Sequence, residues 1–268
     1  MKDKVIVITG GSSGIGKSLA EKFGKEGSKI VISGRNIEKL LETEKELISK
    51  NIRVVSVIAD AASEVDNSIL IHRAYKEYGQ LDVLICNAGI SMRAMFQEVD
   101  VEVIKKVMDT NFFGAVHACK FALPYLLKSK GSIVGISSIA GYRGLPGRTG
   151  YSASKFALQG FLECLRTELL KKDVNVLIAC PGFTKSNIRN VALTADGSSQ
   201  GESPLDEGKI MSSEEVAAHI YNAVIKRKRT LVLTTQGKMT ILLNKFFPGF
   251  MDKMVYNHFA KEKDSPLK

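Results

Sequence analysis

The chain has 268 residues, of which 44% are hydrophobic and 25% are charged. These are values of a globular protein, and the length is that of one ordinary α/β domain with a full core. No apolar run reaches the ~18 residues of a bilayer-spanning helix. The N-terminal run VIVI is too short for a secretory signal. The sequence therefore predicts a cytoplasmic protein.

The formal net charge of +10 is unevenly distributed. Residues 226–268 contain ten Lys or Arg and three Asp or Glu, which gives +7, and residues 1–225 carry the remaining +3. Because most of the chain is nearly balanced, the charge does not predict nucleic-acid binding. The four cysteines lack CxxC spacing and the four histidines are scattered. We therefore expect reduced core cysteines and no metal site.

The first predicted strand, VIVI, runs into the glycine-rich segment TGGSSGIG. Backbone N–H groups at the start of the helix that follows suit a phosphate group. Two motifs overlap here: residues 11–18 match the GxxxxGK[ST] loop of nucleoside triphosphate-binding proteins, whereas Gly10, Gly14 and Gly16 match a dinucleotide-binding turn. Under the first interpretation, Asp60 would be a magnesium-binding acid. This segment alone leaves both interpretations open.

The second predicted strand, at 29–33, ends in Ser-Gly-Arg-Asn. A dinucleotide-binding fold that prefers NAD places an acidic residue about 20 residues after the glycines, where it binds the ribose 2′-hydroxyl. Arg35 stands at this point instead, and no acidic residue occurs from Ser33 to Ile37. Because arginine suits a 2′-phosphate, the sequence favours NADP(H) over NAD(H).

Strand and helix patterns alternate through most of the chain. Further strands are predicted at 52–59, 81–86, 133–136, 174–180 and 230–233, separated by helical segments. This order predicts a three-layer, Rossmann-type, doubly wound parallel sheet of about seven strands with helices on both faces. Ligands in such sheets bind beyond the carboxyl ends of the strands. Candidate site residues lie at those ends: Gly10, Arg35, Asp60, Asn87, Ser138 and Pro181.

Tyr151 and Lys155 are four residues apart in a predicted amphipathic helix, so they share one face. Ser138 lies at the end of the preceding strand. A free tyrosine has a pKa of about 10, which a lysine ammonium ~4 Å away would lower by about two to three units. Tyr151 would then suit proton transfer to a carbonyl oxygen, and Ser138 could hydrogen-bond that oxygen.

The predicted catalytic domain covers residues 1–237, and a basic amphipathic extension covers 238–268. A loop at about 187–211 is rich in Gly, Ser and Asp, which is typical of a lid over a site. Ser212 and Glu215 predict a capping box at the start of the next helix. The extension mixes Phe, Met and Leu with Lys, which leaves three uses open: a lid over the substrate, a subunit contact, or peripheral membrane contact.

These motifs together resemble the short-chain dehydrogenase/reductase family over about residues 4–235. The glycine turn, the Asn-Ala-Gly segment at 87–89, the twelve residues between Ser138 and Tyr151, and the Pro-Gly turn at 181–182 carry the resemblance. The resemblance implies a catalytic tetrad of Asn111, Ser138, Tyr151 and Lys155. It implies cofactor contacts from these and further residues: Gly10, Ser12, Ser13, Gly14, Ile15, Gly16, Ser33, Arg35, Asn36, Asp60, Ala61, Asn87, Ala88, Gly89, Tyr151, Lys155, Pro181, Gly182, Thr184 and Ser186.

The resemblance also implies the chemistry, which is metal-free hydride transfer between NADP(H) and a carbonyl or secondary alcohol. Tyr151 would be the general acid in reduction, and Ser138 would hold the substrate carbonyl. Lys155 would bind the nicotinamide ribose and lower the tyrosine pKa, while Asn111 would anchor a water. Under this interpretation the triphosphate-loop match is accidental, and Lys17 would point away from the phosphates.

Two alternatives remain beside a general carbonyl reductase. One is a 3-oxoacyl thioester reductase whose basic surface attracts an acidic carrier protein, and the other is a non-catalytic NADP(H)-binding regulator. We expect a homodimer or homotetramer, paired through the long helices near Asn111 and Tyr151. The substrate is expected to be an apolar molecule of moderate size, because the segments thought to line the pocket contain Met92, Met95, Phe96, Tyr142 and Leu145.

Overall fold

The computed structural model describes residues 1–201, 210–262, 265 and 267. Seven strands form one parallel sheet in the order β3-β2-β1-β4-β5-β6-β7. The strands are β1 (Val5–Ile8), β2 (Lys29–Gly34), β3 (Val54–Ile58), β4 (Val83–Cys86), β5 (Ser132–Ile136), β6 (Asn175–Cys180) and β7 (Thr230–Val232). The predicted doubly wound parallel sheet is confirmed.

Helices connect the strands and cover both faces of the sheet. They are α1 (Gly14–Lys25), α2 (Ile37–Ser49), α3 (Glu64–Tyr78), α4 (Val101–Met108), α5 (Gly114–Ser129), α6 (Thr149–Glu168), α7 (Ser213–Ile225), α8 (Thr235–Phe246) and α9 (Pro248–Phe259). A π-helical turn, Asp109–Phe113, joins α4 to α5 and carries Asn111. The predicted capping box starts α7, with Ser212 and Glu215 each accepting from the other's backbone N–H.

The strands are buried on both faces, which explains their almost unbroken apolar sequences. In β1, Ile6 and Ile8 belong to the core that α1 and α7 cover, whereas Val7 belongs to the core that α3, α5 and α6 cover. Cys86, Cys119 and Cys180 lie in the second core. The prediction that all four cysteines are core residues is wrong for Cys164, which is exposed on the outer face of α6.

The C-terminal helices pack on the catalytic domain. Met251, Val255 and Phe259 of α9 form a small apolar cluster to which Leu145 and Phe183 of the domain also contribute. Because α8 begins at Thr235, the boundary placed after residue 237 falls inside a helix. In the described part of the chain, no helix has both the length and the apolar character that crossing a bilayer requires.

The segment after β6 runs across the carboxyl edge of the sheet. Leu193 bridges both Met92 and Ser199, and Thr184 bridges Met211. These contacts hold the two ends of the predicted lid against the domain. Its middle, residues 202–209, lies outside the described residues, so that part of the prediction is not addressed by the structure.

Candidate active site

A cavity of about 810 Å³ opens at the carboxyl ends of the strands. This volume lies in the range typical of pockets for small molecules and cofactors. All of the sequence-predicted site residues except Gly16 and Asn111 are among the described residues that line it. Distant parts of the chain therefore meet at the carboxyl ends of the strands, as the alternating pattern of strands and helices predicted.

The glycine turn between β1 and α1 forms one end of this cavity. Gly10 has a φ of +65°, and a Cβ built on it would lie 2.9 Å from the Cα of Ala88. Gly16 does not line the cavity but packs against the turn. A Cβ on Gly16 would lie only 2.1 Å from the Gly10 carbonyl oxygen. The backbone can pass this closely only without side chains. Such a turn at a helix N-terminus fits a dinucleotide pyrophosphate.

Asn87 fastens this turn to the end of β4. Its Nδ2 donates to the carbonyl oxygens of Thr9 and Gly10 at 3.0 and 2.9 Å. In return, the backbone N–H groups of Asn87 and Ala88 both donate to Thr9 Oγ1 at 3.1 Å. The four hydrogen bonds fix the two loops relative to each other, so the polar wall between them is formed in advance of any ligand.

Two cations lie on the cavity wall beyond β2. Arg35 is half-exposed and its Nη1 is 3.8 Å from Asp60 Oδ2. Lys39, in the first turn of α2, lines the same part of the cavity and was not among the sequence-predicted residues. Its position in the first turn of the helix that follows β2 was the available signal, because ligands of such sheets bind beyond the carboxyl ends of the strands.

The triphosphate-loop interpretation is wrong for this chain. Its essential lysine, Lys17, is not among the described residues that line the cavity, and it forms an ion pair with Glu46 of α2 instead. Within the described residues, no cluster of three or more His, Cys, Asp or Glu side chains is arranged to hold a metal ion. Asp60 Oδ1 accepts from the backbone N–H of Ala62 at 3.0 Å, which orders the turn after β3.

Tyr151, Lys155 and Ser138 converge on the cavity wall between β5 and α6. Burial raises the pKa of the Tyr151 phenol above its usual value, while a side-chain hydrogen bond with Ser138 and the charges of Arg148 and Arg189 lower it, with burial the largest effect. The expected lowering of this pKa by Lys155 is therefore wrong. The phenol is protonated at neutral pH.

The orientation of Lys155 explains that result. Its Nζ donates to the carbonyl oxygen of Ile136 at 2.9 Å and lies 5.6 Å from the centroid of the Tyr151 ring. The ammonium is thus directed at the end of β5. Burial lowers the pKa of Lys155 to about 8. The ammonium form therefore predominates at neutral pH, and the neutral amine becomes the major form above pH 8.

Asn111 is buried behind the cavity. Its Oδ1 accepts from the backbone N–H of Ile90 at 2.8 Å, and its Nδ2 donates to Ile90 O and to Ser154 Oγ, both at 2.9 Å. These bonds tie the π-helical turn to the loop after β4 and to α6. The role implied for Asn111, anchoring a water, stays a prediction.

The substrate end of the cavity differs from the sequence expectation. Of the five residues expected to line the pocket, only Leu145 is among the described lining residues. Met92 is fully buried in a separate cluster, Tyr142 packs against the second core, and Phe96 is exposed to solvent. The apolar wall instead comes largely from the C-terminal helices and the loop after β6: Phe183, Ile188, Val191, Met251, Met254, Val255 and Phe259.

A family model described as short chain dehydrogenase matches residues 4–196. The chain belongs to the short-chain dehydrogenase/reductase family. Its relatives in this family are named dehydrogenases/reductases, which makes it an oxidoreductase enzyme. "Dehydrogenase/reductase SDR family member 7B" of Mus musculus is 35% identical, over 99% of this chain and 84% of the mouse protein. The Xenopus laevis protein of the same name is 39% identical, over 85% of this chain and 73% of its own length.

Solved structures of this family share the fold. A short-chain dehydrogenase/reductase from Burkholderia phymatum, in complex with NAD, has a TM-score of 0.83 at 24% identity over 93% of this chain and 95% of its own. An alcohol dehydrogenase from the archaeon Thermococcus sibiricus, complexed with 5-hydroxy-NADP, has a TM-score of 0.76 at 21% identity, over 87% of this chain and 96% of its own. At these identities the likeness concerns the fold.

Proposed function

We propose that this short-chain dehydrogenase is an NADP(H)-dependent reductase of apolar carbonyl compounds, with Tyr151 as the proton donor. The proposal rests chiefly on one arrangement: Tyr151, Ser138 and Lys155 line the same cavity as the glycine turn. A cofactor held by that turn and a substrate beside the tyrosine would therefore share one enclosed space, which is the requirement for transfer between them.

The described residues fit a nicotinamide dinucleotide. The turn at 10–16 would hold the pyrophosphate on the α1 N-terminus, Asp60 and Ala61 would lie at the adenine, and the segment at 87–89 would line the nicotinamide half. When bound, the nicotinamide supplies or accepts hydride at the substrate carbon. Pro181, Gly182, Thr184 and Ser186 line the cavity after β6 and would contact the carboxamide.

The residues around Tyr151 would handle the proton. In reduction, the Tyr151 hydroxyl donates its proton to the carbonyl oxygen, and Ser138 Oγ hydrogen-bonds the same oxygen as negative charge builds up on it. The raised pKa of Tyr151, due first to burial, keeps the phenol protonated at neutral pH, which suits the reductive direction. Lys155 lines the same cavity and would bind the nicotinamide ribose through its ammonium group.

The preference for NADP(H) is proposed from the cations beyond β2. Arg35 and Lys39 both line the cavity, near the N-terminus of α2. A 2′-phosphate placed here would meet two side-chain cations and the positive end of a helix, and each of these favours an anion. The adjacent Asp60 is already 3.8 Å from Arg35, so its charge is partly offset.

Turnover separates the proposed function from its alternatives. NADPH consumption is measured with a panel of aldehydes, ketones and 3-oxoacyl thioesters, and NADPH binding is measured separately by its fluorescence. Reduction of apolar aldehydes or ketones that is lost in Tyr151→Phe supports the proposal. Activity with acyl thioesters alone would favour the thioester reductase. Binding without reduction of any carbonyl would favour the non-catalytic regulator and overturn the proposal.

We also propose that the enzyme works as a cytoplasmic homodimer or homotetramer, since proteins of this family commonly form oligomers. Phe113, at the junction of α4 and α5, and Phe156 of α6 are exposed large apolar side chains on the helices expected to pair subunits. Light scattering should give at least a dimeric mass for the wild type and a lower mass for Phe113→Asp/Phe156→Asp. A monomeric wild type would contradict the proposal.

A further inference from the structure

The two C-terminal helices carry a row of large apolar side chains that are exposed to solvent. On α8, Met239, Leu242 and Phe246 are spaced i, i+3 and i+7, so they share one face. Phe247 and Phe250 at the turn, and Met254 on α9, continue this row. We call these six residues the apolar edge; their exposed fractions range from 41% to 61%.

The apolar edge is not needed to attach the helices to the domain. Other side chains attach them, since Met251, Val255 and Phe259 of α9 are buried and pack against Leu145 and Phe183 of the domain. A run of six exposed large apolar residues over sixteen positions is unusual for a surface that faces only water, and such patches mark interaction sites. The edge therefore needs a partner that accepts aromatic side chains.

The charge around the apolar edge is positive. From Thr235 to Glu262 the sequence contains four lysines and two acids. Both acids are ion-paired to arginines of the catalytic domain: Asp252 with Arg143 at 2.5 Å, and Glu262 with Arg148 at 3.2 Å. Lys238, Lys245 and Lys253 flank the edge and are exposed. A partner that matches this surface would be apolar where it meets the middle of the edge and negatively charged where it meets the flanking lysines.

The apolar edge is continuous with the mouth of the cavity. Met254 is part of the edge and also lines the cavity, and it is followed inward by Met251 and Val255. Thr240 on α8 lines the cavity from the other helix. An apolar molecule could therefore pass from whatever covers the edge to Tyr151 along apolar side chains.

We propose that the apolar edge docks on the surface of an anionic lipid bilayer and that the enzyme draws a lipophilic carbonyl substrate from that bilayer. Phe246, Phe247 and Phe250 enter the boundary between headgroups and acyl chains, while the flanking lysines contact anionic headgroups. The helices lie on the membrane and do not cross it. The membrane docking is argued only from the apolar edge and its flanking lysines. The substrate class rests in addition on the proposed function.

Vesicle co-sedimentation tests the docking. The wild-type protein should pellet with phosphatidylcholine/phosphatidylglycerol vesicles, and the variant Phe246→Ser/Phe247→Ser/Phe250→Ser should bind at least about tenfold more weakly. Lys245→Gln/Lys253→Gln should weaken binding to these vesicles by about fivefold per lysine and should leave binding to pure phosphatidylcholine unchanged. The control Val65→Ser/Ile69→Ser/Leu170→Ser removes exposed apolar side chains of α3 and of the turn after α6 and should bind like the wild type.

Three results would overturn the docking. They are a wild type that does not pellet, a phenylalanine variant that pellets equally, and an equal loss in the control variant. A fourth is a wild type that stays in solution as a dimer and becomes monomeric in the phenylalanine variant, because a second copy of the chain would then cover the edge.

Turnover distinguishes the substrate class from the proposed function. A long-chain ketone dissolved in the vesicles should be reduced more slowly by the phenylalanine variant, while a short water-soluble ketone should be reduced at the wild-type rate. If the phenylalanine variant reduced both the long-chain and the short ketone at the wild-type rate, delivery of the substrate from the bilayer would be overturned. A wild type that reduces neither ketone would overturn the proposed function and the substrate class, and the sedimentation result would still decide the docking.

Discussion

Arg148, the residue that precedes α6, is held by a carboxylate 114 positions away, since its Nη2 lies 3.2 Å from both carboxylate oxygens of Glu262. Glu262 is only 4% exposed at its side chain and also pairs with Arg93 at 3.4 Å. Burial raises the pKa of Tyr151, and Arg148 is among the charges that lower it. The C-terminal segment is thus coupled to the proton donor through one guanidinium.

Glu262→Gln should destabilise the protein. The substitution keeps the shape of the side chain but removes the carboxylate that pairs with the largely buried Arg148, and loss of one partner of a buried ion pair typically costs about 3–5 kcal/mol. Urea denaturation measures the change in the free energy of unfolding. Asp252→Asn is the matched control, because Asp252 pairs with Arg143 but is 68% exposed at its side chain, and exposed pairs contribute at most about 1 kcal/mol. Equal losses in both variants would contradict this account.

Tyr151→Phe should lower kcat by about 10²- to 10⁴-fold, the usual contribution of a positioned proton donor. The affinity for NADPH, measured by fluorescence titration, should change little, because only the hydroxyl is removed. Tyr142→Phe is the control, since Tyr142 is packed against the core of the sheet and is not among the described residues that line the cavity. Retained turnover in Tyr151→Phe would mean that another group supplies the proton.

The two directions of the reaction should respond differently to pH. Because burial raises the pKa of Tyr151 above its usual value of 10.0, the protonated phenol predominates throughout the neutral range. Reduction needs that form and should be nearly independent of pH there. Oxidation needs the phenolate, whose fraction rises about tenfold per pH unit below the pKa, so its rate should rise steeply with pH. A flat oxidation profile would argue against Tyr151 as the base.

Sequence patterns within single strands, turns and helices predicted where the backbone of the site lies. The strands, the glycine turn and the residues at strand ends follow from periodicity and from the geometry of parallel sheets, and Gly10, Asn87 and Ser138 accordingly line one cavity. The direction of a long side chain is set by distant partners instead. Lys155 faces the Ile136 carbonyl, and nothing in the spacing of Tyr151 and Lys155 indicates that choice.

The apolar wall was mispredicted for the same reason. Met92 lies close in sequence to the site but is packed beneath Gly150, where its sulfur would lie only 3.0 Å from a Cβ placed on that glycine. The actual wall residues Met251, Val255 and Phe259 come from a helix more than 90 residues after Tyr151. Their spacing of four indicates a buried helix face, but the sequence alone does not show which surface that face covers.

Arg35→Ala should weaken NADPH binding far more than NADH binding. Removal of a cation from a phosphate contact costs roughly 1.5 kcal/mol, or about tenfold, at a half-exposed position. Arg53→Ala is the matched control, since Arg53 and Arg35 have the same side-chain exposure of 53% and Arg53 pairs with Asp3, away from the cavity. Fluorescence titration with both cofactors gives the two affinities. An equal loss for NADPH and NADH would refute a contact with the 2′-phosphate.

Lys155→Met should stabilise the protein at neutral pH and lose that advantage at alkaline pH. Burial lowers the pKa of Lys155 in the folded state from 10.5 to about 8. Below pH 8 the lysine is protonated in both the folded and unfolded states, so the cost of burying the ammonium, about 3 kcal/mol, is fully present. Between pH 8 and 10.5 the unfolded state binds more protons, so the wild type becomes more stable as the pH rises.

Methionine carries no charge, so its variant avoids this cost at every pH but loses the hydrogen bond to Ile136 O, which is worth about 1 kcal/mol. Urea denaturation should therefore show the variant about 2 kcal/mol more stable than the wild type at pH 7, with the difference shrinking and then reversing as the pH approaches 10. Lys171→Met, at an exposed position after α6, should show no such trend. A stability difference that does not change with pH would mean that Lys155 is not buried as an ammonium ion.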